Sequence, residues 1–525
     1  MSIALALRSS GNTARQLAPT LILALLGSVA AFAPLLLPLS SLSAKVVYSV
    51  SAALLCAAGA VLSGNIRLYS LWCLMFTLPL DYSMHFGAMI KKMGGENQFR
   101  VEASDIFLAA LAIYVMRDIW QGRRSGLRIP RVVLIWSLII LMGVAATVIG
   151  PYRTSAAQET LRMIKVIVLF VVVTNELNSD GRILQAVTAL AASAAFEGAI
   201  GLVQQYRGRL LGLGVLGEVN KDTVLQLASD SVQGVSVFRV SAFLLHPNVF
   251  GIFLAAVLPL AIGGLLIRRS LVNRGVLFMC VALGCPALIA TLSRSSWVGF
   301  TVACIVLFSG LCAHRGLRQR AVLFMAVCAI AAMVPAVVYF NKIASRVLES
   351  QAGATIARSE LSFDAWQLIG DKPWVGWGIN SYALNVPLVM RLSPRQSHKM
   401  WGTLFPVVHN VYLLWWMELG LLGLLLHLLV WGEVIAVGIS NLKVRHEALF
   451  VVNVAATAGV IAFIPDGFFS FSLRMNPILR VFWVLAAIIL AVRYYRLRQE
   501  RTRLATAPVR DEERENHVTV KAGCE

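Results

Sequence analysis

Residues 405–432 read FPVVHNVYLLWWMELGLLGLLLHLLVWG, an apolar stretch with two histidines and one glutamate set into it. Turning by about 100° per residue with His409 at zero, Trp416 falls at about −20°, Gly420 at about +20°, Gly423 at about −40° and His427 near 0°. These five share one helix face, and Glu418 falls on the opposite one. Two glycines on a face open a groove where another backbone can approach. An imidazole at the groove's mouth is able to take a proton from an attacking hydroxyl. The same residues also read as a histidine hydrogen-bonded at a helix start, with glycines that serve packing alone. Glu418, an ionisable group inside an apolar run and turned away from His409, reads as half of a structural ion pair or hydrogen bond. Glu197, in the run 183–204, reads the same way.

Two arginines add a second kind of chemistry. Arg239 stands shortly before His246-Pro247-Asn248, and Arg294 lies in Ser293-Arg294-Ser295-Ser296-Trp297, a very short turn between two apolar runs. A guanidinium at a membrane surface is a forked donor for phosphate oxygens, and a lipid diphosphate places its charge at that depth. A snorkelling anchor for ordinary headgroups is the alternative, and Pro247 and Asn248 also suit turn and capping chemistry. Further on, Gly376-Trp377-Gly378-Ile379-Asn380 permits a tight turn. Trp377 and the nearby Trp374 suit either stacking on sugar rings or anchoring at the interface.

The elements that must hold these residues are membrane spans. Apolar residues make up 58% of the 525-residue chain and charged residues 14%, with a mean hydropathy of +0.75. That composition excludes a soluble multidomain protein and a disordered one. Lys+Arg exceeds Asp+Glu by 46 − 26 = 20, but the basic residues sit in short clusters between apolar runs. No basic stripe interleaved with aromatics suggests nucleic acid. Seven of the eight cysteines lie in apolar runs and read as small buried hydrophobes.

Apolar runs near 17–39, 46–64, 67–80, 103–120, 132–150, 163–176, 183–204, 243–267, 275–292, 296–313, 321–340, 409–432, 448–465 and 478–492 predict an all-α polytopic membrane protein of about 12–14 transmembrane helices. The first run is read as a retained helix, because Pro34 follows Ala31-Phe32-Ala33 and disfavours cleavage there. Short loops around Arg117–Arg131, Arg268–Arg274, Arg315–Arg320 and Lys443–Arg445, with the arginines after 492, all fall on one side, read as the cytoplasm with both termini. Residues 1–493 form the membrane domain, with a large periplasmic loop at about 341–408. Residues 494–525 form a charged cytoplasmic tail expected to be disordered. The first outside loop, Ser40 to Lys45, contains no carboxylate, and no Walker, HExxH or nucleophile-elbow sequence occurs. A catalytic metal is therefore not expected, nor a cofactor.

In combination these motifs resemble the bacterial O-antigen ligase and O-antigen polymerase superfamily. The ligase signature is His, then Asn, Ser or Gln, nine residues, Gly, two residues, Gly. His409-Asn410, Val411 to Leu419, Gly420, Leu421-Leu422 and Gly423 match it throughout. Arg239 with His246-Pro247-Asn248, the segment around Arg294, and the turn holding Trp377 and Asn380 are similar to further family segments. The charged tail and a span count above the family's usual twelve or so are departures. The resemblance implies transfer of a glycan from undecaprenyl diphosphate to an acceptor hydroxyl, without metal and with inversion, at the periplasmic face of the inner membrane. The acceptor would be lipid A-core for a ligase or a growing polysaccharide for a polymerase. It implies His409 as base or hydroxyl positioner, Arg239 and Arg294 on the diphosphate, and Asn410, Trp377, Asn380 and His246 as substrate-binding residues. The alternative class is a transporter of lipid-linked sugars. Transporters usually repeat their halves and bind near the midplane, whereas the polar candidates here gather at one surface.

Overall fold

The computed structural model describes residues 63–80, 83–90, 94–213, 218, 229–232, 235–267, 271–327, 352–390 and 407–506, with 59 and 61. Among them the helices are α1 (Ile66–Thr77), α2 (Ala103–Trp120), α3 (Arg131–Ile149), α4 (Arg153–Glu176), α5 (Asp180–Arg207), α6 (Pro247–Leu265), α7 (Leu271–Ala290) and α8 (Arg294–Ala313). They continue with α9 (Ala352–Asp371), α10 (Tyr382–Met390), α11 (Val411–Ser440), α12 (Glu447–Phe469) and α13 (Asn476–Thr506). Two antiparallel hairpins, β1 (Ser83–Phe86) with β2 (Phe99–Glu102) and β3 (Ser229–Val232) with β4 (Val235–Phe238), interrupt the helical pattern. Periodicity does not reveal them, because each strand is only four residues long.

Eight of these helices are long and apolar enough to cross a membrane: α3, α5, α6, α7, α8, α11, α12 and α13. The chain is an all-α polytopic membrane protein. Helices α2 and α4 occupy expected runs but carry more charge, and α1 has 12 residues. The run 17–39 with its Ala31-Phe32-Ala33 site, nearly all of 46–64, the second half of 321–340 and Arg268-Arg269 lie outside the described residues.

Helix α6 is central, with 94% of its spanning window buried, and α12 and α13 follow at 83% each. Helices α3, α7 and α8 bury only 22–28% and form the rim that meets lipid. Trp483 of α13 packs edge-on against Trp136 of α3 and Phe170 of α4, both at 4.9 Å between ring centres. Edge-to-face aromatic pairs add about 0.5–1.5 kcal/mol each beyond area burial.

The helices alternate between two ends. At one, the tail end, Arg67 pairs with Asp118 and Glu176, Arg182 with Glu176, and Arg320 with Glu447. Arg124 and the backbone of Arg128 hold Asn175, and Arg496 donates to the Ser440 carbonyl. The described members of the arginine-rich loops thus gather at one end, as the charge pattern predicts. Helix α13 runs on to Thr506, so the boundary expected after 493 falls inside a helix. The stretch Arg496-Leu497-Arg498-Gln499-Glu500-Arg501 is made wholly of good helix formers, and it extends a helix already nucleated in the core.

Helix α11 is broken. Gly420 adopts φ 68° and ψ −174°, which ends the regular helical ladder between Leu419 and Leu421. The turn 373–378 fills the gap: Trp377 N–H donates to the Met417 carbonyl, Gly378 N–H to that of Glu418, and Leu421 N–H to that of Pro373. A Cβ on Gly420 would stand 2.1 Å from the Trp374 carbonyl oxygen, and one on Gly376 2.4 Å from that of Glu418. Both glycines are required by close approach of two backbones. This corrects the single helix face proposed for His409, Gly420, Gly423 and His427: His409 precedes the helix, and the break resets the rotation beyond Gly420. The glycine groove is occupied by the chain itself.

Candidate active site

The other end of the bundle, the site end, holds a cavity of about 500 Å³. Its polar lining includes Asn248, Ser293, Arg294, Ser295, Arg358 and His409. Five chain segments meet there: the start of α6, the turn between α7 and α8, the loop helix α9, the start of α11 and the end of α12.

His409 is placed by the residue that follows it. The Asn410 side chain caps α11 by accepting from the N–H groups of Tyr412 and Leu413. Such a cap stabilises a helix end by about 1 kcal/mol, and it leaves His409 just outside. Nδ1 of His409 lies 3.1 Å from the Val407 carbonyl. A carbonyl only accepts, so Nδ1 carries the hydrogen and Nε2 keeps its lone pair. Phe471 packs edge-on against the ring at 5.2 Å. Burial, reinforced by the Arg358 charge and opposed by the Val407 bond, pulls the imidazole down to about 4. His409 is therefore a neutral acceptor at neutral pH.

The His-Pro-Asn segment builds the opposite wall. Nδ1 of His246 accepts from Asn248 N–H at the N-terminus of α6, and Pro247 occupies the first turn, where no donor is missed. Burial and then the Arg239 charge hold the His246 imidazole down at about 3. Arg239 is buried; its Nη2 donates to Asn248 Oδ1 at 2.7 Å and its Nε to the Thr291 carbonyl at 2.9 Å. It stands one layer behind the cavity and ties the start of α6 to the turn that carries Arg294. Arg294 itself is partly buried in the cavity lining.

The described non-glycine residues with left-handed backbone are Ala242, Leu245, Leu292 and Asn380, with φ between 48° and 62°, and the first three lie in or beside these segments. Each costs on the order of 1–3 kcal/mol and persists only where surrounding contacts impose it. Leu245 directly precedes His246, and Leu292 precedes Ser293-Arg294. Contacts from α5 impose the first bend: Glu197 accepts from Phe243 N–H, and Gln204 from the N–H groups of Ser241 and Ala242. Glu197 thus serves this loop, as its reading as a hydrogen-bonded structural group predicts.

The other candidates lie apart from the cavity lining. Trp377 donates its indole N–H to the Leu368 carbonyl and stacks under Lys372 at 4.1 Å. The Asn380 amide donates to the carbonyls of Glu96 and Ser155 in the interior. His427 is buried, accepts from Trp431 and stacks on Trp415.

Two residues escape motif reading. Arg358 has no sequence neighbour that marks it; its place in the cavity depends on how α9 docks against α11. Asp466, near the end of α12, lies close to the hydroxyls of Ser295 and Ser472 and faces the Arg358 charge. An ionisable residue at the end of an apolar run is a visible signal for it. Phe468 and Phe469 also line the cavity. The same two side chains, both exposed, line an apolar trough with Val302, Ile461, Ile464 and Pro465 between α8 and α12.

A comparison with curated proteins finds no match. A family model described as O-antigen ligase matches residues 277–428. That segment contains Arg294, Arg358, His409 and the Gly420 break, and leaves Arg239, His246 and Asp466 outside. The cavity is built largely from side chains of this segment, and the match supports the O-antigen ligase and polymerase superfamily for this part of the chain.

Proposed function

We propose that the protein moves a glycan from undecaprenyl diphosphate to an acceptor hydroxyl at the periplasmic membrane face, as a ligase whose acceptor is lipid A-core. The observation that carries this reading is the adjacency of two unlike spaces. A cavity lined by Arg294, Arg358 and His409 and an apolar trough at the side of the bundle share Phe468 and Phe469 as a common wall. A diphosphate with a long isoprenoid tail has the same two halves.

In this reading Arg294 and Arg358 grip the diphosphate, and Arg239 adds its charge from behind Asn248. The acceptor hydroxyl enters opposite the leaving group. Its oxygen forms a bond to the anomeric carbon as the carbon–phosphate oxygen bond breaks, which inverts the centre. The hydroxyl proton passes to Nε2 of His409, and undecaprenyl diphosphate leaves with both bonding electrons. Guanidinium groups supply the charge stabilisation that a divalent cation supplies elsewhere. The tail end faces the cytoplasm, in keeping with its loop arginines.

Purified protein in vesicles, supplied with lipid-linked glycan, lipid A-core and EDTA, tests each part. Glycan on lipid A-core in chelator is expected. Lengthening of the lipid-linked glycan instead would make the protein a polymerase. Activity that needs Mg²⁺ or Mn²⁺ would overturn the metal-free reading, and no transfer to either acceptor would overturn the whole.

A further inference from the structure

The site end contains a buried set of charges that never reaches the cavity. Glu96, Glu159, Arg162, Glu418 and Arg474 are all less than 5% exposed. Arg474 Nη2 pairs with Glu418 Oε2 at 2.9 Å and its Nη1 with Glu159 Oε1 at 3.3 Å. Arg162 pairs with Glu159 and donates to the Arg474 carbonyl. Arg100, on β2, pairs with Glu96. Three carboxylates thus face three guanidinium groups, and the set is neutral.

Two arms leave it from Glu418. Along the first, Glu418 Oε1 accepts from Tyr382 N–H at the start of α10, and the Tyr382 hydroxyl donates to the Leu361 carbonyl of α9. Arg358 stands one helical turn before Leu361. Along the second, Arg474 ends the short helical turn Ser472–Arg474. Phe471, just before that turn, packs on the His409 ring, and Ser472 lies against Asp466. Glu418 itself sits at the break of α11, where the turn 373–378 is spliced into the helix.

We propose that Glu418 and Arg474 are positioning residues for the transfer reaction: their ion pair joins the arm carrying Arg358 to the arm carrying Phe471, and so sets where Arg358 and His409 stand across the cavity. Neither touches substrate. A buried ion pair is weak as a source of stability, since desolvation offsets most of its attraction. What it holds well is geometry, because the two oxygens of Glu418 meet different arms, Oε2 the Arg474 guanidinium and Oε1 the Tyr382 N–H. Misplacement of a catalytic group by about 1 Å can cost on the order of 100-fold in rate. The inference rests on the proposed transfer reaction.

The test separates geometry from stability. Glu418→Gln alone leaves a surplus positive charge in a buried site and is expected to lower the amount of folded protein. The double variant Glu418→Gln/Arg474→Gln removes one charge of each sign and leaves two carboxylates facing two guanidinium groups. It is expected to fold at near wild-type levels. In the transfer assay its kcat should fall about 10–100-fold, with donor KM within about threefold of wild type. A pair that served stability alone would give wild-type kcat once folding is restored, and that result would overturn the proposal.

If the double variant is not recovered folded, Phe471→Leu decides. It leaves the charges in place and removes the ring from His409, so kcat should drop about tenfold with KM kept. An unchanged kcat in that variant would equally overturn the proposal. Wild-type protein that fails to transfer from the lipid-linked donor would instead count against the proposed function.

Discussion

The two ends of the bundle manage charge in opposite ways. At the tail end the ion pairs are partly wet: Arg67 is 15% exposed and its partner Asp118 14%, while Arg320 and Glu447 are 32% and 40% exposed. At the site end Glu159, Arg162, Glu418 and Arg474 are at most 4% exposed. The left-handed non-glycine residues among the described residues also lie at the site end. Water can take over a lost partner at Asp118, Arg320 or Glu447 and cannot in the set formed by Glu159, Arg162, Glu418 and Arg474. The strained turns and dry charges therefore mark where the fold accepts a cost to hold side chains still, and the tail end marks where it does not.

The largest effect expected from breaking this contrast is at His409. Among the described residues its Nε2 is the imidazole acceptor that both a helix cap and a backbone carbonyl place in the cavity. General-base assistance is worth about 10²–10⁴-fold, so His409→Ala should lose that much turnover per folded molecule while donor binding persists. The pH dependence has a definite sign. The ring is held down to about 4 by burial and Arg358, so it stays neutral as pH falls from about 7 towards about 5. The ratio kcat/KM, which reports the free enzyme, should hold across that range and decline only near about 4. A decline centred near the ordinary histidine value of about 6.5 would show the ring is more open to water than this arrangement allows.

Arg358→Lys comes next. Lysine keeps the charge and loses the fork, so a bidentate grip on a diphosphate should weaken and transfer should fall about 10–100-fold. The same substitution at Arg294 tests whether the two guanidinium groups act together; losses that multiply in the double variant would show independent contacts, and losses that do not would show one shared site.

Gly420→Ala probes the splice between helix and loop. It adds both a left-handed backbone penalty and a Cβ 2.1 Å from the Trp374 carbonyl oxygen. A stability loss on the order of 2–4 kcal/mol is expected from the two together, read as a lower melting temperature in detergent. An alanine variant with unchanged melting would mean that α11 can run straight through Gly420.

How much of this was open to sequence reading differs along the chain. Span positions and the gathering of loop arginines follow from composition and run length, because the bilayer imposes both. Arg294 and His409 are legible because each sits at the edge of an apolar run, where a charge or imidazole needs a reason. A helical wheel fails at 409–427 for a local cause: it assumes an unbroken helix, and Gly420 reads as a packing glycine until its partner turn, 373–378, is known. Arg358 is illegible for a tertiary cause. It lies in a polar loop among other charged residues, and only the docking of α9 through Tyr382 and Glu418 turns it towards the cavity. The partners of Glu418 are likewise 36 and 56 residues away in sequence, beyond any spacing rule.

The smallest effect should come from the tail end. Arg67→Ala removes ion pairs to Asp118 and Glu176. Asp118 then turns to water, and Glu176, although itself buried, keeps Arg182 at 2.7 Å. Exposed and partly exposed pairs contribute about 0–1 kcal/mol, so the expected loss is about 1 kcal/mol, a shift of a few degrees in melting. Transfer per folded molecule should stay within about twofold of wild type, because no described contact of Arg67 leads to the cavity end. If Arg67→Ala instead cut kcat as deeply as the Glu418→Gln/Arg474→Gln variant, charge anywhere in the bundle would govern turnover. The distinction between a wet end that tolerates loss and a dry end that sets geometry would then fail.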